Sequence, residues 1–307
     1  MRAGWGGLLA LAAFAVMAPA AAAFPERPVT LVVGAAAGGG IDLTARVLAQ
    51  HLSQSFGQPV VVENRPGAGT RIAAEYVAKS PPDGYTLLVT TAAAAIDMAM
   101  KADAGVATHV LAPVATFADT AMLLVVKPSL PARSVAELVA LARDHPGTLN
   151  YSSSGTGTIG HLCGELFRQR TGTDIVHVPY KGAAPSAAAL VTGEVDFTFA
   201  SLPAVLAFVK AGRMRVLATA GARRSALLPD APTMAEAGVS GFDTTLWYGV
   251  FAPEGTPRDV VDRLARATAA TAESTAFARA LAGMGAEVYV HSPTELARLV
   301  HEETKRW

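Results

Sequence analysis

Residues 149–163 read LNYSSSGTGTIGHLC, and within them Gly155-Thr156-Gly157-Thr158-Ile159-Gly160 matches GxGxxG. The stretch joins a short strand, Asn150 to Ser152, to a helix predicted over 159–170, with bare, hydroxyl-rich backbone between them. A dinucleotide-binding turn asks for an acidic residue at the end of the next strand, about 20 residues on. Asp174 instead precedes the next predicted strand, 175–178. A phosphate loop ends in GK[ST], whereas this one ends Ile159-Gly160-His161. The remaining chemistry is capture of a small anion. The first turn of a helix leaves backbone N–H groups unpaired, and the helix dipole there favours negative charge. Glycine, serine and threonine let a carboxylate approach.

The same pattern occurs earlier. A β-branched run, Val29 to Val33, leads into Gly34-Ala35-Ala36-Ala37-Gly38-Gly39-Gly40, then a helix over 41–56 that Gly57 stops. Neither loop contains Lys or Arg, so recognition would rest on backbone N–H groups, hydroxyls and ordered water. Two such loops from two α/β units can face each other across a cleft, because ligands of open α/β sheets bind beyond the carboxyl ends of strands. Further strands are predicted at 60–63, 85–90, 123–126, 175–178, 195–200, 215–220 and 247–252. Capping boxes open helices at Ser134–Glu137 and Ser292–Glu295, and Pro257 is suited to a first helical position. This rhythm predicts an α/β protein with a mainly parallel, doubly wound sheet.

The chain has 307 residues, 51% of them hydrophobic and 16% charged, with 25 Lys+Arg against 25 Asp+Glu. That balance offers no field for nucleic acid or an anionic membrane. Residues 1–23 read as a signal peptide: a charge at Arg2, an apolar run from Leu8 to Ala18, and small residues to Ala23, where cleavage is expected. The apolar run is short for a membrane span, which takes about 20 residues. The mature chain is therefore expected to be exported. The lone Cys163 reads as a buried small hydrophobe.

Catalytic patterns are weak. Ser153 or Ser154 with His161 suggests a serine hydrolase, but GxSxG is absent. His161 and Glu165 share a helix face, which reads as a surface or capping pair, with metal ligation as the alternative. The seven histidines do not cluster with metal spacing. The expectation is a binding protein, not an enzyme, with no catalytic residues, cofactor or metal.

A series of segments then resembles one family. They are PVVVENRPGAG (59–69), PDGYTLL (82–88), LNYSSSGTGT (149–158) with His161-Leu162 and Gly164-Glu165-Leu166-Phe167, VHVPYKGAAP (176–185), Gly193-Glu194-Val195-Asp196, LPDAPTMAEAG (228–238), and Trp247-Tyr248-Gly249 with FAPEGTP (251–257). In this order they resemble the Bug family, the periplasmic solute-binding receptors of tripartite tricarboxylate transporters. The resemblance implies a type II periplasmic-binding-protein fold, with two doubly wound domains joined by a two-crossing hinge. Domain 1 would comprise 24–123 and 247–307, and domain 2 would comprise 124–246. It implies capture of a small organic acid and its delivery to membrane transporter subunits by a monomeric receptor. The alternative use of the fold is a ligand sensor feeding a signalling partner.

Carried across, the first loop supplies Ala35, Ala36, Gly38, Gly39, Ile41 and Asp42. The second supplies Ser153, Ser154, Gly155, Thr156, Gly157, Thr158 and His161. Thr90 and Thr91 form a rim, and Tyr180, Lys181 and Asp196 lie near the cleft or hinge. Asp42 also reads as a helix cap, and Tyr180 and Trp247 as wall packing. The chain departs from the family at Ala35 to Ala37, where Pro-Phe and further prolines are usual. It also departs at Ile41, Asp97, Ala200 and the stretch 100–109, which lacks a usual Tyr-Asp-Pro. These departures predict a roomier, less polar pocket suited to an aromatic or longer-chain acid.

Overall fold

The structure, a computed structural model, describes residues 24–92, 97 and 111–306. The predicted signal segment and the stretch 100–109 lie outside the described residues.

Each half of the molecule is built on a parallel strand triplet. In the first, β1 (Val29–Val33) lies between β2 (Val60–Asn64) and β3 (Thr86–Thr91). In the second, β5 (Asn150–Ser153) lies between β6 (Val176–Pro179) and β7 (Phe197–Ser201). The βαβ rhythm of the sequence accounts for both triplets. Between them run two long strands, β4 (Leu111–Val126) and β9 (Thr245–Pro253), antiparallel to each other and to their outer neighbours. The order is β2-β1-β3-β9-β4-β7-β5-β6, with β8 (Arg215–Thr219) and β10 (Ala286–Val288) also paired to β4. The sheet is therefore mixed, not mainly parallel as the sequence suggested. β4 belongs to both halves. Thr120 and Ala121 pair with β9, whereas Leu123 pairs with β7 and β8. A strand that carries the chain out, met by one that brings it back, pairs antiparallel.

Around the sheet lie α1 (Gly40–Phe56), α2 (Arg71–Ala78), α3 (Val135–Asp144), α4 (Ile159–Thr171), α5 (Ala183–Thr192), α6 (Leu202–Lys210), α7 (Arg258–Ala272), α8 (Thr275–Met284) and α9 (Pro293–Arg306). α1 buries Ile41, Ala45, Leu48, Ala49 and Leu52, an apolar stripe at helical spacing, and ends at Gly57 with φ 65°. Ser134 caps α3 as expected, accepting from Glu137 N at 3.1 Å. Pro257 is the N-cap of α7 instead of its first residue. The predicted strand 123–126 is only the end of β4. Pro113 and two register shifts hide the rest, since proline cannot donate to a ladder. Cys163 is fully buried in the main core.

One strand pair carries an internal conflict. Asp119 on β4 stands directly opposite Glu287 on β10, and like charges so placed repel. Burial and Glu287 push the Asp119 carboxyl up to about 6, against the pull of Arg223. Its folded value lies above the ordinary 3.8, so the folded state holds the extra proton between about pH 4 and 6. This group's contribution to stability therefore falls as pH rises through that window and stays low above it. Asp119→Asn is expected to raise stability at pH 7.5 by about 1 kcal/mol, after discounting for partial exposure, or roughly 2–4 °C in Tm. At pH 4.5 the gain should vanish. Thermal melts at both pH values check this.

Candidate functional site

The loops that leave β1, β5, β6 and β7 open on one cleft, where the turn Arg65–Thr70 also arrives. Consequently α1, α2, α4, α5 and α6 all begin there. At none of their N-caps (Gly39, Thr70, Thr158, Gly182 and Ser201) does a side chain hydrogen-bond back to its helix. Away from the cleft, Ser134 and Ser274 do cap α3 and α8. An uncapped first turn leaves N–H groups without intrahelical partners at the positive end of the dipole. Several such ends converging make a site for negative charge with no cationic side chain needed.

Two connected chambers occupy the cleft. The inner one, about 80 Å³, has an apolar wall that includes Ala35, Ile41, Met122, Ile159, Phe199 and Leu246. Its polar side chains are hydroxyls, from Thr70, Thr91, Ser154, Thr158, Ser186, Ser201 and Tyr248. Among the described residues no Asp, Glu, Lys, Arg or His lines it. The outer chamber, about 500 Å³, is bounded by Gly67 to Arg71, Ser154 to Gly157 and Pro179 to Gly182, with Arg71, Lys181 and Asp97 as its charged residues. The cleft is shut. A Cβ on Gly69 would lie 2.6 Å from Thr156 O, and one on Gly182 would lie 3.1 Å from Ala36 N.

Several of the sequence-selected residues hold the loops instead of lining the chambers. Asp42 is 1% exposed. Its carboxylate accepts from Gly38 N at 2.9 Å, Asn64 Nδ2 at 2.9 Å and Arg46 at 2.9 and 3.1 Å. Burial opposes its ionisation, but the bonds from Arg46, Gly38 and Asn64 prevail and hold the carboxyl below the usual range. Asp42 thus braces the first loop from within the first turn of α1, whose N-cap is Gly39 and not Asp42 as the capping reading supposed. Ser153, 1% exposed, bonds Gly155 N at 3.1 Å, Gly155 O at 3.0 Å and His177 Nε2 at 2.7 Å. His161 Nδ1 accepts from Gly157 N at 3.2 Å, and its ring lies 4.3 Å from that of His177. Ser153 bonds its own loop and His177, and His161 bonds Gly157 N, so the Ser153–His161 pair considered from the sequence is not formed. Burial and the neighbouring His161 push His177 down to about 4. That shift has the opposite sign to Asp119: stability is lost as pH falls from about 6.5 to 4.

Asp196 corrects the sequence reading outright. It precedes β7, at the end of the strand remote from the cleft, where it pairs with Lys127 at 2.7 Å and accepts from Asn150 N. Thr90 is also turned away. Side chains alternate along a strand, so Thr91 lines the inner chamber while Thr90 is buried behind it. Ala36 and Gly39 face the opposing half: a Cβ on Gly182 would lie 3.1 Å from Ala36 N, and one on Gly39 would lie 3.5 Å from Ala183 Cβ. The Tyr180 ring packs on the smaller core cluster. Burial and the nearby Glu194 carboxylate push its hydroxyl up to about 12, short of a well-formed hydrogen bond. Ala35, Ile41, Ser154, Gly155, Thr156, Gly157, Thr158 and Tyr180 do line the chambers. Ala35, Ile41 and Ala200 belong to the apolar part of the inner wall, and its small volume means that a long ligand must extend outward. Sequence reading missed Thr70, Ser186, Ser201 and Tyr248. Tyr248 was quoted only as part of a family segment, with no role assigned, and Thr70, Ser186 and Ser201 lie outside the quoted segments.

Comparison with known proteins gives a consistent result. Residues 44–307 match the model of the tripartite tricarboxylate transporter family receptor. The chain is 36% identical over 301 residues to Protein BugT of Bordetella pertussis, covering 97% of this chain and 92% of that one. An R. palustris protein solved with adipate is 42% identical, with a TM-score of 0.87 over 93% of this chain and 96% of its own. MatC of Rhodopseudomonas palustris, solved with bound malate, is 32% identical, with a TM-score of 0.86 over 92% and 98%.

Proposed function

Because this chain belongs to the tripartite tricarboxylate transporter receptor family and is a solute-binding receptor, we propose that it captures a small organic acid in the periplasm and delivers it to a membrane transporter. The observation that carries this reading is the convergence of side-chain-uncapped helix N-termini on a chamber without ionised side chains. A carboxylate supplies the charge those ends lack, and their dipoles supply what a lysine or arginine supplies elsewhere. Adipate and malate in two related structures are both carboxylates, which supports the ligand class.

Closure follows from the topology. The two halves, 24–123 with 247–307 and 124–246, act as domains that move about β4 and the approach to β9. The approach of Gly39 to Ala183 exists only when they meet, so a ligand that bridges the loops favours the shut form. The receptor works as a monomer, and the shut form is what the transporter reads.

The test is a thermal-shift screen of residues 24–307 against dicarboxylates, tricarboxylates, aromatic acids, acidic amino acids and nicotinamide compounds. An acid at 100-fold its Kd is expected to stabilise the fold by about 2.7 kcal/mol. A shift with nicotinamide compounds alone would overturn the reading.

A further inference from the structure

The two glycine loops do not account for Thr70. The turn that leads into α2 holds four consecutive residues at positive φ: Gly67 at 130°, Ala68 at 47°, Gly69 at 62° and Thr70 at 80°. Glycine adopts this region freely, but a β-branched threonine there is strained. Thr70 is also the N-cap of α2, a position where its hydroxyl normally bonds the helix. Here it makes no such bond. The hydroxyl oxygen is buried and has no hydrogen-bond partner, a state that costs free energy. Nor does the side chain stand clear of its surroundings. A Cβ on Gly34 would lie 2.5 Å from Thr70 Cβ, so the first loop carries glycine where threonine packs.

One residue thus bears a strained backbone, an idle cap and an unsatisfied buried hydroxyl. Strain of this kind persists where the surroundings enforce it and gathers at ligand sites. Thr70 lines both chambers and so stands at the throat between them.

We infer that Thr70 is a specificity-determining residue whose hydroxyl donates to a second oxygen function of the ligand at this throat. The ligand's first carboxylate sits in the inner chamber against the helix ends. The inference rests on the organic-acid reading and narrows it: the preferred ligand carries a further oxygen acceptor, and a hydrocarbon monoacid of equal length is a poorer fit. Tyr248, fully buried on the inner wall with its hydroxyl facing Ser201 short of bonding geometry, leaves another group available for the same oxygen-rich ligand.

The experiment pairs ligand with variant. Kd values for succinate against butyrate, and for adipate against hexanoate, are measured by calorimetry on the wild type, Thr70→Val and Thr70→Gly. Valine keeps the shape and the strain but removes the hydroxyl. Glycine removes the hydroxyl and the strain together. Both variants are expected to weaken the better-bound diacid about 10-fold or more and to leave its monoacid within about 2-fold. Thr70→Gly is also expected to melt higher than the wild type without ligand. If the wild type binds acids but the variants match it, or weaken both acids of a pair equally, the role of Thr70 is overturned while the receptor reading stands. If the wild type binds no acid at all, both fall.

Discussion

Gly39→Leu is expected to abolish ligand capture while leaving the protein folded. Gly39 has φ −77° and ψ 163°, extended backbone that any residue adopts, so leucine brings no conformational penalty. A Cβ there would already touch Ala183 Cβ at 3.5 Å across the cleft. The remaining leucine carbons would extend from that Cβ toward the start of α5. They wedge the halves apart and withdraw one set of helix ends from the other. Since the ligand bridges both, its affinity should drop at least about 100-fold, more than about 2.7 kcal/mol. The melting temperature without ligand should stay within about 2 °C, because the open form accommodates the side chain. Calorimetry and unliganded melts together decide this. Undiminished binding would mean that the shut cleft is not the binding form.

Gly164→Val is expected to produce the largest loss of stability. Gly164 lies in α4 against Tyr151, and a Cβ there would overlap the tyrosine ring. That ring cannot retreat. It is fully buried, stacked on His177 at 4.9 Å and Phe197 at 5.6 Å, and its hydroxyl bonds Glu165 at 3.0 Å. Overpacking a filled core costs about 1–3 kcal/mol or more. With three added carbons against an aromatic ring, about 3 kcal/mol and roughly 6–10 °C in Tm are expected. Tyr151→Leu in the same chain should restore part of the loss. A double variant no more stable than Gly164→Val alone would show that the ring clash is not the cause. His177 also bonds Ser153 at the root of the second loop, so displacing Tyr151 should weaken ligand binding as well.

The parts of this molecule that follow local rules were legible in the sequence. Val29 to Val33 is a β-branched run and became a buried strand. Gly57, at φ 65°, ends its helix where a residue without Cβ is favoured. The glycine loops announced themselves because strand, glycine and helix leave a regular trace. β4 did not, since Pro113 and two register shifts break its alternation. Asp196 was misplaced because a motif gives a residue's neighbours in the chain, not which end of a strand it occupies. Asp42 and His161 were correctly drawn to the loops, but spacing alone could not tell a bracing side chain from a contacting one. Thr70 escaped notice because its importance lies in a backbone angle, and Tyr248 because its surroundings come from distant segments.

The uncapped helix ends have a consequence for how this pocket would answer a mutational survey. Truncating its lining residues to alanine one at a time should barely disturb the grip on the acid's charged end, because that grip belongs to the main chain and no substitution removes a peptide N–H except proline. The scan would look sparse even over a tight site. Apart from Thr70 at the throat, sensitive positions would emerge only when bulk is added at the glycines. Side chains around the throat, by contrast, can be exchanged without releasing the anchor. A pocket organised this way can change its preferred acid by ordinary point substitutions while the attachment to carboxylates stays fixed.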